Sequence, residues 1–384
     1  MRIVLLEPYS MGSHAAWADG YGRHSRHDVV HLELPGRFWK WRMHGGAITL
    51  GHEFLRRQLQ PALLLATDML DLTTFLAVTR RQTSGTPTAF YFHENQLTFP
   101  PPPGSKRDLH YGFINYASAL VADAVFFNSR YHLDEFFEEL PRLLKHFPDF
   151  TELETIEPLR ERAGVLVPGV ALTRFDEFRP ETPRHGPLTI LWNHRWEYDK
   201  NPDEFFAALK RLDEAGLPFE VMVAGESFRQ RPEEFLAARE WLGPRLRHFG
   251  YAEDFGTYAR LLWEADVQIS TARHEFFGLA TIEAMYCDCL PILPDRLAYP
   301  EYIPGSARNL VLYRGFEALV ERLRWAIEHV ESVRAVSLRA AASAFAWEQM
   351  APHYDEVLAG LAERIGGLPA ETYDPGFNRN SLEL

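Results

Sequence analysis

Short apolar runs of strand length alternate with amphipathic, helix-length stretches along most of this chain. "RIVLLE", "DVVHLEL", "ALLLAT", "TAFYFHE" and "DAVFFNS" are nearly continuous in apolar residues, as strands buried on both faces require. Helical patterns such as "DLHYGFINYASALVA" and "YHLDEFFEELPRLLKHF" separate them. The series closes on a strand and a Pro-Gly turn in "GVLVPGV". A second series follows: "LTILWNH", "FEVMVAG", "RHFGY", "DVQIST" and "LPILPD", with helical partners that include "NPDEFFAALKRLDEAG" and "GLATIEAMYC". Each alternation predicts a parallel sheet covered by helices on both faces. Two of them predict two doubly wound, Rossmann-like α/β domains facing a central cleft. The expected boundaries are 1–168 and 169–350, with a final helix near 350–365 packed back on the first domain and a tail from 367. Ligands of such sheets sit beyond the carboxyl ends of the strands.

A length of 384 residues exceeds one ordinary core, and 46% hydrophobic residues exclude a disordered chain. Charges or prolines interrupt every apolar run before it reaches membrane-spanning length, so no membrane insertion is expected. In "MRIVLLEPYS" the apolar run stops at Glu7, too soon for a signal peptide, and reads as a first buried strand. Cys287 and Cys289 are one residue apart, a poor geometry for a disulfide and too few ligands for zinc. These features predict a protein of a reducing cytoplasm without a metal. The net charge of −13 is uneven: residues 1–132 carry 13 Lys/Arg against 10 Asp/Glu, and the rest carry 27 against 43. A polyanion is expected to meet the first third.

The sharpest chemical signal is "HEFFGLATIEAM", where seven residues separate Glu275 from Glu283 and Gly278 marks a turn from strand into helix. Backbone N–H groups at such a helix start suit an anionic diphosphate, and Gly278 permits close approach. Glu283 is placed to accept from ribose hydroxyls and Glu275 from a sugar. In "LWNHRWEYDKNP" a strand end is followed by Arg195 and, five residues later, Lys200: two cations suited to charge building on a departing diphosphate. In the first domain, "EPYSMGSH" turns after the first strand at Gly12 and Ser13, and His93 ends another strand in "FYFHENQ". The run "GRFWKWRMHGG" interleaves cations and aromatics, which suits phosphates and bases. The alternative is a strand and turn whose tryptophans are core.

The Glu275/Glu283 pair around Gly278, with Arg195 and Lys200, resembles the retaining glycosyltransferases of family 4, which have two Rossmann domains (the GT-B architecture) and use nucleotide sugars. A glycine commonly stands where Asn193 and His194 precede the Arg, and many members carry two adjacent glycines at Gly12–Ser13. "FHENQLTFP", "EAMYCDCLPILP", "RLAYPEYIP", "GSH" and "LPGRFWKWR" resemble the tRNA-queuosine α-mannosyltransferase subgroup over almost the whole chain. The resemblance implies transfer of mannose from GDP-mannose to queuosine in the tRNA anticodon, with no cofactor and no metal. It implies catalytic roles for His93, Arg195, Lys200 and Glu275. It also implies donor contacts from Gly12, Ser13, Asn193, Gly225, Phe276, Phe277, Gly278, Leu279 and Glu283. Acceptor contacts are expected from Arg37, Trp39, Lys40, Trp41, Arg42, Glu94, Asn95, Gln96, Lys106 and Arg107. A lipid or glycan acceptor, or an inactive nucleotide- or RNA-binding protein, are the alternatives.

Overall fold

A computed structural model describes residues 1–101, 104–225 and 233–366, so the expected tail lies outside the described residues. The chain forms two compact units. Residues 1–101 and 105–169 with the helix Trp347–Gly366 make the first; Val170–Ala346 belongs to the second.

The first unit holds six strands: β1 (Arg2–Ser10), β2 (Asp28–Pro35), β3 (Leu63–Thr67), β4 (Thr88–Phe92), β5 (Ala124–Phe127) and β6 (Ala163–Val165). They lie in the order β2-β1-β3-β4-β5-β6, all parallel. The middle strands are buried along their length because helices cover both faces, hence their unbroken apolar runs. Leu64, Phe90, Val125 and Phe127 join Phe54 and Phe75 in one core. The order reverses between β1 and β3, which puts the switch point of this unit at the ends of β1, β3 and β4. The helix Trp347–Gly366 is anchored by its polar tips as well as its rings. Trp17 Nε1 donates to Tyr354 Oη (3.1 Å), and Tyr21 Oη donates to Asp355 Oδ1 (3.0 Å).

The second unit holds β7 (Leu188–Asn193), β8 (Phe219–Ala224), β9 (Leu246–Gly250), β10 (Val267–Ile269), β11 (Leu290–Pro294) and β12 (Leu312–Tyr313). Their order, β12-β11-β10-β7-β8-β9, is the dinucleotide-fold order, with its switch point between β7 and β10. The chain leaves β7 at His194 and β10 at Ser270, so both expected donor segments spring from that one point.

The segment "GRFWKWRMHGG" corrects the strand-and-turn alternative: Trp39 opens an 18-residue helix, Trp39–Arg56. Gly45 fits there because Trp41 lies back over it, with a ring carbon 2.7 Å from where a Cβ would stand. Among the described residues no helix is long and apolar enough to cross a membrane.

Candidate active site

In the second unit, Lys200 is the hub. Its Nζ donates to Glu275 Oε2 (3.2 Å) and to the His274 carbonyl (2.9 Å), and stands 3.0 Å from Asp199 Oδ2. The ammonium is almost fully buried. Burial pulls its pKa down, but Glu275 and Asp199 more than offset this, and it ends above the ordinary lysine value. Burial pushes Glu275 up, yet the charge and hydrogen bond of Lys200 bring it below the usual carboxylate value. His194 and His274 are held neutral, each lowered to about 4 by burial and then by the Lys200 charge. The cluster is therefore one cation between two carboxylates, lined by neutral imidazoles. Arg195 stands differently: half-exposed, with Nη2 3.4 Å from Glu197 Oε2.

Gly278 takes φ +98°, a conformation that glycine enters without strain, and opens the helix Leu279–Tyr286. A Cβ there would stand 2.9 Å from Tyr302 Oη. Phe276 and Phe277 are buried, with Phe276 edge-on to His274 and Phe277 against Tyr302 and Phe345, so their rings belong to the packing. A hydrogen-bond chain fixes Glu283: Asn193 Nδ2 donates to Tyr258 Oη (3.2 Å), which donates to Glu283 Oε2 (2.7 Å). Burial raises the Glu283 pKa, opposed by that hydrogen bond and by Arg174, 3.7 Å from Oε1. Gly225 admits no side chain, because a Cβ would meet the His194 carbonyl oxygen at 1.9 Å. Its absence of a side chain is what lets the β8 end close against the loop carrying Arg195.

In the first unit, Gly12 (φ +53°) starts the helix Gly12–His24 after β1, and Ser13 is exposed beside it. His93 follows β4 with its main chain clamped: its N–H donates to Asp68 Oδ1 (2.9 Å), and Asn128 Nδ2 donates to its carbonyl (2.8 Å). Its side chain packs on residues that the sequence reading passed over. His14 lies 4.2 Å away between ring centroids, and Glu7 Oε2 is 3.9 Å from His93 Nε2. Glu7, wholly buried in β1, accepts from the Tyr9 N–H (2.8 Å) and from His14 Nδ1 (3.1 Å). The one available signal was a carboxylate inside an otherwise apolar strand. His14 is lowered by burial and raised more by Glu7, ending near 9. The nitrogen facing Glu7 thus keeps its proton, and Glu7 and His14 form an ion pair.

That pair makes stability depend on pH. The folded-state value of His14 lies above the ordinary 6.5, so its contribution is complete below about pH 6.5 and is lost as pH rises through about 9. We expect the melting temperature of the wild type to fall over that window and that of Glu7→Gln to stay flat by comparison. Parallel curves would show that the pair does not form.

The expected acceptor residues divide into surface and scaffold. Arg37, Lys40 and Trp41 are exposed, Trp41 at 63%, and so is their neighbour Phe38, at 75%, which was not among the expected contacts. Trp39 is half-buried, 5.0 Å from the Tyr111 ring and packed with Met43, and Lys40 Nζ sits 5.5 Å from both rings. Arg42 Nε donates to the Pro35 carbonyl. Asn95 is scaffold: its Oδ1 accepts from the Leu97 and Thr98 N–H groups, shaping the loop that presents Glu94 and Gln96. Gln96 Nε2 donates to Glu94 Oε1 (2.9 Å). Lys106 and Arg107 are exposed, with Arg107 reaching the Thr98 and Phe99 carbonyls.

Two doubly wound parallel sheets, one with a buried cation between carboxylates at its switch point, have the strand topology of the GT-B glycosyltransferases. Solved structures agree on the fold. Anabaena HepE in complex with UDP-glucose matches with a TM-score of 0.67 at 16% identity, covering 94% of this chain and 100% of that one. Sucrose-phosphate synthase from Thermosynechococcus elongatus gives 0.66 at 15%, covering 95% and 100%. Residues 2–170 match the tRNA-queuosine alpha-mannosyltransferase N-terminal family, and residues 173–342 match glycosyl transferases group 1. The Drosophila melanogaster tRNA-queuosine alpha-mannosyltransferase is 34% identical over 84% of this chain and 86% of its own length. A GDP-mannose-dependent alpha-(1-6)-phosphatidylinositol dimannoside mannosyltransferase of Mycobacterium tuberculosis is 29% identical over 46% and 45%. The chain belongs to the tRNA-queuosine alpha-mannosyltransferase family.

Proposed function

We propose that this enzyme transfers mannose from GDP-mannose to a hydroxyl of queuosine in the anticodon of tRNA, in the cytoplasm. The observation that carries the reading is the match to the Drosophila enzyme through both units. The surface of the helix Trp39–Arg56 supports an RNA acceptor. Its first turn has no acidic residue and instead carries Lys40 and Arg42, the wrong sign for the helix dipole. Phe38 caps it in the left-handed region (φ +56°) with its ring in solvent, a strained placement of the kind kept at binding sites. An anticodon loop supplies phosphates for the cations and splayed bases for the rings.

On the donor side, Arg195 and Lys200 stabilise the diphosphate as it leaves, with the backbone at the Gly278 helix start. Glu283, held by Tyr258, accepts from the ribose hydroxyls, and Glu275 accepts from the mannose. The family resemblance assigns His93, neutral, to the sugar. In the transfer, the bond from C1 to the diphosphate oxygen breaks and its electron pair leaves with GDP. The bond from C1 to the queuosine oxygen forms on the same face, and the proton of that hydroxyl passes to the leaving phosphate. These roles follow the family resemblance, and charge stabilisation rests on side chains and helix, without a metal.

Incubating the protein with radiolabelled GDP-mannose and total tRNA tests this. Label is expected on tRNA that contains queuosine, none on tRNA that lacks it, and the yield is expected to survive EDTA. Equal labelling of both tRNA pools, or transfer only to lipid, would overturn the acceptor; dependence on magnesium would overturn the charge chemistry.

A further inference from the structure

The Glu7–His14 pair under His93 has no part in the reaction so far described. One carboxylate oxygen, Glu7 Oε2, lies 3.1 Å from His14 Nδ1 and 3.9 Å from His93 Nε2. His93 Nε2 is buried and makes no hydrogen bond. The ring is caged by His14 at 4.2 Å, Trp17 edge-on at 4.8 Å and Tyr91 at 4.9 Å. Two imidazoles in contact over one carboxylate hold a single positive charge between them, because charging both would bury two cations with their rings 4.2 Å apart. His14, the nearer, takes it.

We infer that Glu7 and His14 are positioning residues for the transfer reaction, a buried carboxylate–imidazole pair that fixes the ring of His93 and keeps that ring neutral. The inference rests on the reading that His93 attends the sugar. A neutral ring keeps one nitrogen with a lone pair, which can accept from a hydroxyl. The other titratable groups around the cluster agree. Asp68 after β3 and Glu94 add to the pull of Glu7 on the His14 proton. His93 is lowered well below the ordinary histidine value by burial first, then by His14 and by His132 of the helix Arg130–Leu144.

His14→Gln keeps an N–H donor for Glu7 but removes the cation. The uncompensated carboxylate then draws a proton onto His93. The expected result is a kcat that falls about tenfold from about pH 8 to pH 6, where the wild type is flat. Adding Glu7→Gln to that variant removes the carboxylate, and the flat profile returns even if the absolute rate does not. A loss of packing alone would lower the rate at every pH and leave the profile unchanged. Nitrogen NMR of histidine-labelled wild type needs neither substrate nor a variant that folds. It is expected to show one imidazolium, His14, titrating near 9, with His93 neutral at pH 7. A flat profile in His14→Gln, an acid limb that persists in the double variant, or a neutral His14 at pH 7 overturns the inference. Wild-type protein that transfers no mannose overturns instead the reading on which it rests; the NMR titration tells the two failures apart.

Discussion

Glu275→Gln is expected to lower turnover about 10³-fold, on the order of 4 kcal/mol of transition-state stabilisation, while leaving the protein folded. The amide keeps the shape of the side chain and loses the charge that meets Lys200 Nζ at 3.2 Å. Lys200 keeps Asp199 as a partner, so the melting temperature is expected to move by only a few degrees. Lys200→Ala is a different experiment. It leaves two carboxylates, Asp199 and Glu275, without the cation between them. Breaking such a buried pair from one side costs roughly 3–5 kcal/mol. That variant is therefore expected to lose both activity and stability, and its inactivity alone assigns nothing. Steady-state transfer and thermal melting of both variants check this; wild-type turnover in Glu275→Gln would remove the donor-site assignment.

The second large effect concerns RNA. Replacing Arg37, Lys40 and Arg42 together with neutral residues is expected to weaken tRNA binding and to flatten its salt dependence. The slope of log affinity against log salt should fall by about 2 if each cation meets one phosphate of a single strand. Melting shifts caused by GDP should be unchanged, because the residues assigned to the donor lie in other elements. The two tryptophans then part company. Trp41, 63% exposed, is expected to cost about 1–3 kcal/mol of tRNA affinity when cut to Ala, with the fold unaffected. Trp39, packed on Met43 and Tyr111, is expected to cost stability as well. A triple variant that binds tRNA like wild type, at all salt concentrations, would make the segment scaffold.

The sequence by itself determined the two parallel sheets. Strands covered on both faces by helices have no solvent side, so "LLLAT" and "TAFYF" had to be apolar throughout, and that run is visible residue by residue. Positions set by the backbone were legible for the same reason: Gly278 at a strand-to-helix turn, and Arg195, Lys200 and Glu275 in the segments that follow strand ends. The helix at Trp39 was harder. Its glycines and cations argue locally against a helix start, and the glycines are explained only by their packing, Gly45 under the Trp41 ring, Gly46 against Pro8 and Gly51 against Val78.

Tertiary structure alone decided which charges meet. Lys200 and Glu275 are 75 residues apart, and they touch because β7 and β10 are neighbours at the switch point, an adjacency that strand order creates and no local pattern records. Glu7 and His93 stand 86 residues apart and come within 3.9 Å because β1, β3 and β4 end side by side. Glu7 shows the limit most plainly. As a letter it only ended an apolar run, and its burial beside His14 and His93 comes from the packing of three separate segments. Short-range pattern fixes which face of an element is buried; long-range pairing fixes what a buried charge has to answer.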